Sequence, residues 1–153
     1  MKLFTKEQIN EMKSNGLPEN RGKDHNPVVK IFAKGARMVW LFSEIINSEK
    51  AFGLCDTGSG NVELGYVHFD DLTSLERQFD IKICIDKDFK GHYPISIYES
   101  ASLEKGKITT EERDLSIAFK KIKHLKLNTN KLPQTLIAFG NSTNKRTNPG
   151  RRM

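Results

Sequence analysis

Residues 50–69 read Lys50-Ala51-Phe52-Gly53-Leu54-Cys55-Asp56, then Thr57-Gly58-Ser59-Gly60, then Asn61-Val62-Glu63-Leu64-Gly65-Tyr66-Val67-His68-Phe69. Two β-prone segments flank a short turn rich in residues that accept positive φ, which is the pattern of a β-hairpin. In Asn61–Phe69, Val62, Leu64, Tyr66 and His68 alternate onto one side. The turn sets the register, so Phe52 and Leu54 are expected on the face that buries Leu64 and Tyr66 or their diagonal neighbours.

Working outward, Val28–Ala33 and Met38–Ile46 read as strands, with turns marked by Gly35 and Asn47-Ser48. Ile81–Ile85 reads as a fifth strand, with Ile81, Ile83 and Ile85 on one face, and Ile95–Tyr98 as a short edge strand after Pro94. Short links between consecutive strands imply an antiparallel meander. Three helices are expected. Lys6–Ser14 carries a capping box of Thr5 and Gln8 and is stopped by Gly16. A middle helix, capped by Asp70 or Asp71, runs to about Arg77 and buries Leu72 and Leu75. A C-terminal helix, capped by Thr109 or Thr110, gathers Leu115, Ala118, Phe119, Ile122 and Leu125 into one stripe. Lys126 would fall back into that stripe, so the helix is expected to end near Leu125. Glu19–Asn26 and Asp86–His92 read as loops. The fold class is α+β: an antiparallel meander of about five strands with flanking N-terminal, middle and C-terminal helices. Residues 1–126 form a single domain; residues 127–153 form a basic, flexible C-terminal tail in which only Leu132–Phe139 is apolar.

Val28 to about Tyr98 resembles a family of small bacterial proteins known as domain of unknown function 2958. The likeness rests on Val29-Lys30-Ile31-Phe32, Trp40 with Glu44, Phe52-Gly53-Leu54, Glu63-Leu64-Gly65-Tyr66, Leu72 with Leu75, Ile81–Asp86, and the opening Leu3-Phe4-Thr5-Lys6. The second strand departs from the family's frequent Trp-x-Trp-Tyr, having Trp40-Leu41-Phe42. Residues after about Lys105 lie outside the resemblance. It implies a fold and a setting on plasmids, phages and other mobile elements; it implies no chemistry.

Charge carries the strongest functional signal. Residues 1–100 hold 13 Lys and Arg against 15 Asp and Glu, whereas residues 101–153 hold 12 against 4. No acidic residue follows Asp114 in the remaining 39 residues. Lys120, Lys121 and Lys123 on the C-terminal helix, with Lys145, Arg146, Arg151 and Arg152 beyond it, are the candidate contacts to a nucleic acid or nucleoprotein complex. They would act by phosphate neutralisation with little base readout. The bland reading is a solvated helix face and a tail that aids solubility. The alternative function is a protein-binding module, one that blocks a host defence system.

Other candidates have simpler explanations. Trp40, Phe52 and Tyr66 could stack bases, but aromatic residues on alternating strands are usually core, so Trp40 is expected to be buried. Gly53 and Gly65 lie mid-strand, where close packing of Trp40 would explain them. His68 with Asp70 and Asp71 is the one local base–carboxylate cluster and supports a third reading, a small hydrolase; capping explains the aspartates without catalysis. His25, His68, His92 and His124 show no metal-ligand spacing, and Ser59 lies in a turn rather than a nucleophile elbow. No metal or cofactor is implied, and the protein is expected to be non-enzymatic. With no secretory signal and no membrane-spanning run, Cys55 and Cys84 read as reduced thiols of a cytoplasmic protein.

Overall fold

The computed structural model describes residues 3–129. In chain order these form α1 (Lys6–Asn15), β1 (Val29–Lys34), β2 (Val39–Ile46), β3 (Lys50–Asp56), β4 (Val62–His68), α2 (Phe69–Phe79), β5 (Lys82–Ile85), α3 (Ile95–Lys105) and α4 (Glu112–Thr129). The strands make one antiparallel sheet in the order β4-β3-β2-β1-β5. The first four are a meander, as the short turns require. The chain then crosses the sheet through α2, so that β5 pairs with β1 at the opposite edge.

The hairpin has the expected register. Phe52 stands opposite Tyr66, and Leu54 opposite Leu64. The Phe52 and Tyr66 rings lie 5.1 Å apart, and Lys50 Nζ sits 4.9 Å over the Tyr66 ring. Gly58 and Gly60 take the positive φ that the turn needs, and Asp56 Oδ1 accepts from Gly58 N at 2.9 Å.

Both faces of the sheet are covered. On one, α1 and α2 bring Met12 and Leu72 onto Val29, Ile31, Trp40, Phe42 and Ile83. On the other, α3 and α4 bring Ile95, Tyr98, Ala101, Leu115 and Ala118 onto Leu41, Leu54 and Val62. Two-sided burial explains why β2 and β3 read as nearly continuous apolar runs rather than strict alternation. Trp40 is 2% exposed, as its apolar setting led us to expect.

An irregularity in β2 organises this arrangement. The register with β3 slips between Phe42 and Glu44, leaving Ser43 as an extra residue. The slip keeps Ile45 in the same apolar cluster as Trp40 and Phe42, where unbroken alternation would turn it away. Gly53 is required here. A Cβ at this position would stand 1.9 Å from the Leu41 carbonyl oxygen and 2.8 Å from the Phe42 Cα. The reason for Gly53 is thus close backbone approach, and packing of Trp40 is not needed to explain it.

Three expectations are corrected. Ile95–Tyr98 is not an edge strand but the start of α3, an 11-residue helix. Its cap comes from far away in sequence: Asp24 accepts from Ser96 N (3.1 Å) and from Ser96 Oγ, and His25 O accepts from Ile95 N. Asp70 and Asp71 do not cap α2. They lie in its first turn, where they favour the positive helix end, while His68 occupies the cap position without a side-chain bond. Finally, α4 continues past Leu125 to Thr129. The N-terminal capping box forms as expected, with Thr5 and Gln8 bonded reciprocally. The segment expected to be a tail, residues 127–153, lies outside the described residues after Thr129.

Gly53→Ala should destabilise the protein by about 1–3 kcal/mol, because the backbone it meets has nowhere to move. Trp40→Ala should cost about 3–5 kcal/mol through the cavity it leaves. Denaturant melts of both variants check this; a Gly53→Ala midpoint equal to wild type would contradict the bulge account.

Candidate nucleic-acid interface

The first turns of α4 are anchored. Thr109 Oγ1 accepts from Glu111 N at 3.2 Å and donates to Asp114 Oδ2 at 2.6 Å. Asp114 also pairs with Lys105 at 3.0 Å across the α3–α4 contact. The Thr109 hydrogen bond and then the Lys105 ammonium hold the Asp114 carboxyl below its ordinary range. Of the two threonines read as caps, Thr109 makes these bonds; Thr110 Oγ1 instead accepts from Lys30 Nζ at 3.4 Å. On the adjoining side, Tyr93 donates to Glu112 Oε1 at 2.6 Å and its ring lies 5.5 Å from that of Phe119. The same bond, more than burial, raises the Tyr93 phenol. Asp56 Oδ2 accepts from Ile108 N, tying the β3–β4 turn to the segment that enters α4.

Leu115 and Ala118 are buried and Ile122 is half-buried; from Lys123 to Leu127 every side chain is exposed. The helix therefore runs past the body it packs on. Leu125, placed in the buried stripe by its spacing, is 60% exposed, and Leu127 is 58% exposed. The stripe is apolar along its length, but only Leu115 and Ala118 in it are buried, with Ile122 half-buried. Lys120, Lys121, Lys123 and Lys126 are all exposed. At about 100° per residue, Lys120 and Lys126 flank Lys123 by about 60° on either side, while Lys121 lies about 160° from Lys123. Lys121 lines a shallow groove between α3 and α4 with Glu104 and Asp114. The structure thus groups Lys120 with Lys123 and sets Lys121 apart beside two carboxylates. Lys126 was missed as a candidate; the signal for it was the absence of any Gly or Pro between Leu115 and Lys131 that would stop the helix at Leu125. Lys145, Arg146, Arg151 and Arg152 lie outside the described residues.

The competing candidates are dispersed. Trp40 packs on the α1/α2 face, whereas Phe52 and Tyr66 form their own cluster with Ile46, so the three do not make an exposed platform. His68 lines none of the clefts described here, while Asp71 lines one, so that cluster is divided. Among the described residues no three His, Cys, Asp or Glu side chains are placed to hold a metal ion. Also among them, no helix is long and apolar enough to cross a membrane. Cys55 and Cys84 are both free thiols; burial, and then the charge of Glu63, pushes the Cys55 thiol up to about 12.

A model of one protein family, "Protein of unknown function (DUF2958)", matches residues 3–109. The chain belongs to the DUF2958 family. The match spans the whole sheet with α1, α2 and α3, and it ends three residues before α4 begins. In this DUF2958 protein the basic helix is therefore attached to, rather than part of, the matched region. No curated protein and no solved structure matches the chain.

Because its pKa is depressed on folding, Asp114 stabilises the native state above its unfolded pKa, and that contribution is lost as pH falls through the folded value. Thr109→Val should raise the Asp114 titration midpoint, read by carboxyl-carbon NMR. An unmoved midpoint would assign the depression to the cations Lys105 and Arg113.

Proposed function

We propose that this protein is a non-enzymatic accessory protein of a mobile genetic element that binds nucleic acid, or a nucleoprotein complex, through α4 and the basic segment that follows it. The observation that carries this reading is the end of α4. From Lys123 to Leu127 every side chain is exposed, including Lys123 and Lys126; Lys120 and Lys121 lie one turn earlier, and no acidic residue occurs from Leu115 to the C-terminus. Cations spread around a helix make a poor flat patch, but they suit a groove, where phosphates line both sides. Contacts of this kind position a nucleic acid without reading its sequence. The mobile-element setting comes from the family resemblance, and two free thiols support a cytoplasmic location. No cofactor is needed for this function.

A second reading is favoured by one observation, the exposure of Leu125 and Leu127 on the same turns. Apolar side chains there would suit a protein partner, such as a component of a host defence system.

A salt titration of binding separates the two. Each phosphate neutralised should contribute about −0.9 to the slope of log K against log salt. Truncation after Thr129 removes Lys131, Lys145, Arg146, Arg151 and Arg152. It should weaken binding to two unrelated sequences equally, reduce the slope, and leave the thermal midpoint nearly unchanged. Absence of binding by the full chain at about 50 mM salt would reject the nucleic-acid reading and favour the protein partner.

A further inference from the structure

The α1/α2 face of the sheet carries an open cleft of about 270 Å³, bounded by β4, α2 and the β3–β4 turn. Across β2, β3 and β4, Trp40, Cys55 and Glu63 form one row of this face, and all three line the cleft. The cleft beside α1 and the groove between α3 and α4 are smaller, at about 180 and 130 Å³.

The lining has two parts. Trp40, Val67, Leu72 and Leu75 supply an apolar floor and wall. Glu63, Asp71, Thr57, Ser59 and Asn61 supply a polar rim, drawn from β4, α2 and the hairpin turn. Both carboxylates are exposed, and no Lys, Arg or His is among the lining residues. The charge of Glu63 reaches the floor, since it is felt by Cys55 after the larger effect of burial. An apolar slot beneath two carboxylates and several oxygen acceptors matches one kind of ligand: a cation on a hydrocarbon stem. The stem lies against the half-buried Val67 and Leu75, and a planar donor fork bonds carboxylate and hydroxyl oxygens at the rim. A negative rim without a countercharge also disfavours phosphate and other anions.

We propose that this cleft binds a small guanidinium ligand, the chemistry of free arginine with its three-methylene stem. The volume suits one molecule of that size rather than a folded partner. The proposal is independent of the nucleic-acid reading, because the cleft lies on the sheet face opposite α4.

The test uses the full chain and n-butylguanidinium chloride, read by the fluorescence of Trp40, the sole tryptophan, and by amide shifts around Gly65. Saturable binding is expected. n-Butanol, which lacks the charge, and guanidinium chloride, which lacks the stem, should each bind at least about tenfold more weakly. The exposed positions of Glu63 and Asp71 make Glu63→Gln and Asp71→Asn compatible with the fold, and the double variant should weaken binding by at least about tenfold. If the double variant lost its fold, each single variant should still weaken binding several-fold. The absence of a saturable response to n-butylguanidinium at about 10 mM would overturn the proposal. So would equal binding by wild type and the carboxylate variants.

Discussion

The close approach of β2 and β3 at the Ser43 bulge is the contact on which the rest of the structure depends. With Gly53 opposite it, β2 can slip by one residue and still present Trp40, Phe42 and Ile45 to one apolar cluster. At the same slip the buried Ser43 carbonyl accepts from Asn15 Nδ2 at 2.9 Å at the end of α1. Gly16 follows so closely that a Cβ there would come within 2.1 Å of the Ile45 carbonyl oxygen. The first helix, the central strand and the hairpin therefore meet at one point, and two glycines make the meeting possible.

The opposite face is organised by carboxylates that act at long range. Asp24 caps α3 from the loop before β1, and Asp56 joins the hairpin turn to the approach to α4. These bonds fix the start of α3 and the segment that enters α4. Beyond the α3 contact, Lys123, Lys126 and Leu127 are exposed. The α1/α2 face bears a different electrostatic character, with Glu63 and Asp71 at the rim of the cleft between β4 and α2.

The fold was legible where its determinants are local. The hairpin register followed from the Thr57–Gly60 turn, and the first helix from Thr5 and Gln8. The exception, α3, was misread because Ile95-Ser96-Ile97-Tyr98 alternates like a strand and its cap lies 72 residues away at Asp24. Pro94 was read as the opening of an edge strand, whereas it holds the N-cap position of a helix. The bulge was invisible for a related reason: Gly53 announces that something approaches, but not what. Of the candidate site, Lys120 and Lys123 were correctly placed on an exposed side. The periodic stripe, however, is buried only at Leu115 and Ala118, and Leu125, assigned to the core by its spacing, is 60% exposed. Periodicity reports which residues share a face, and the length of the neighbouring body decides how many of them are covered.

Taken together, a DUF2958 body built around a doubly covered sheet carries a basic helix that begins where the family match ends. The central claim is that this helix is where the protein meets nucleic acid. The most direct measurement is amide chemical-shift mapping of the full chain with a short duplex at low salt. The account predicts that the largest shifts run from Lys120 to Lys126 and fade as salt is added, while β1 to β5 stay still. Shifts centred on the sheet or on α2, or shifts in α4 indifferent to salt, would contradict it.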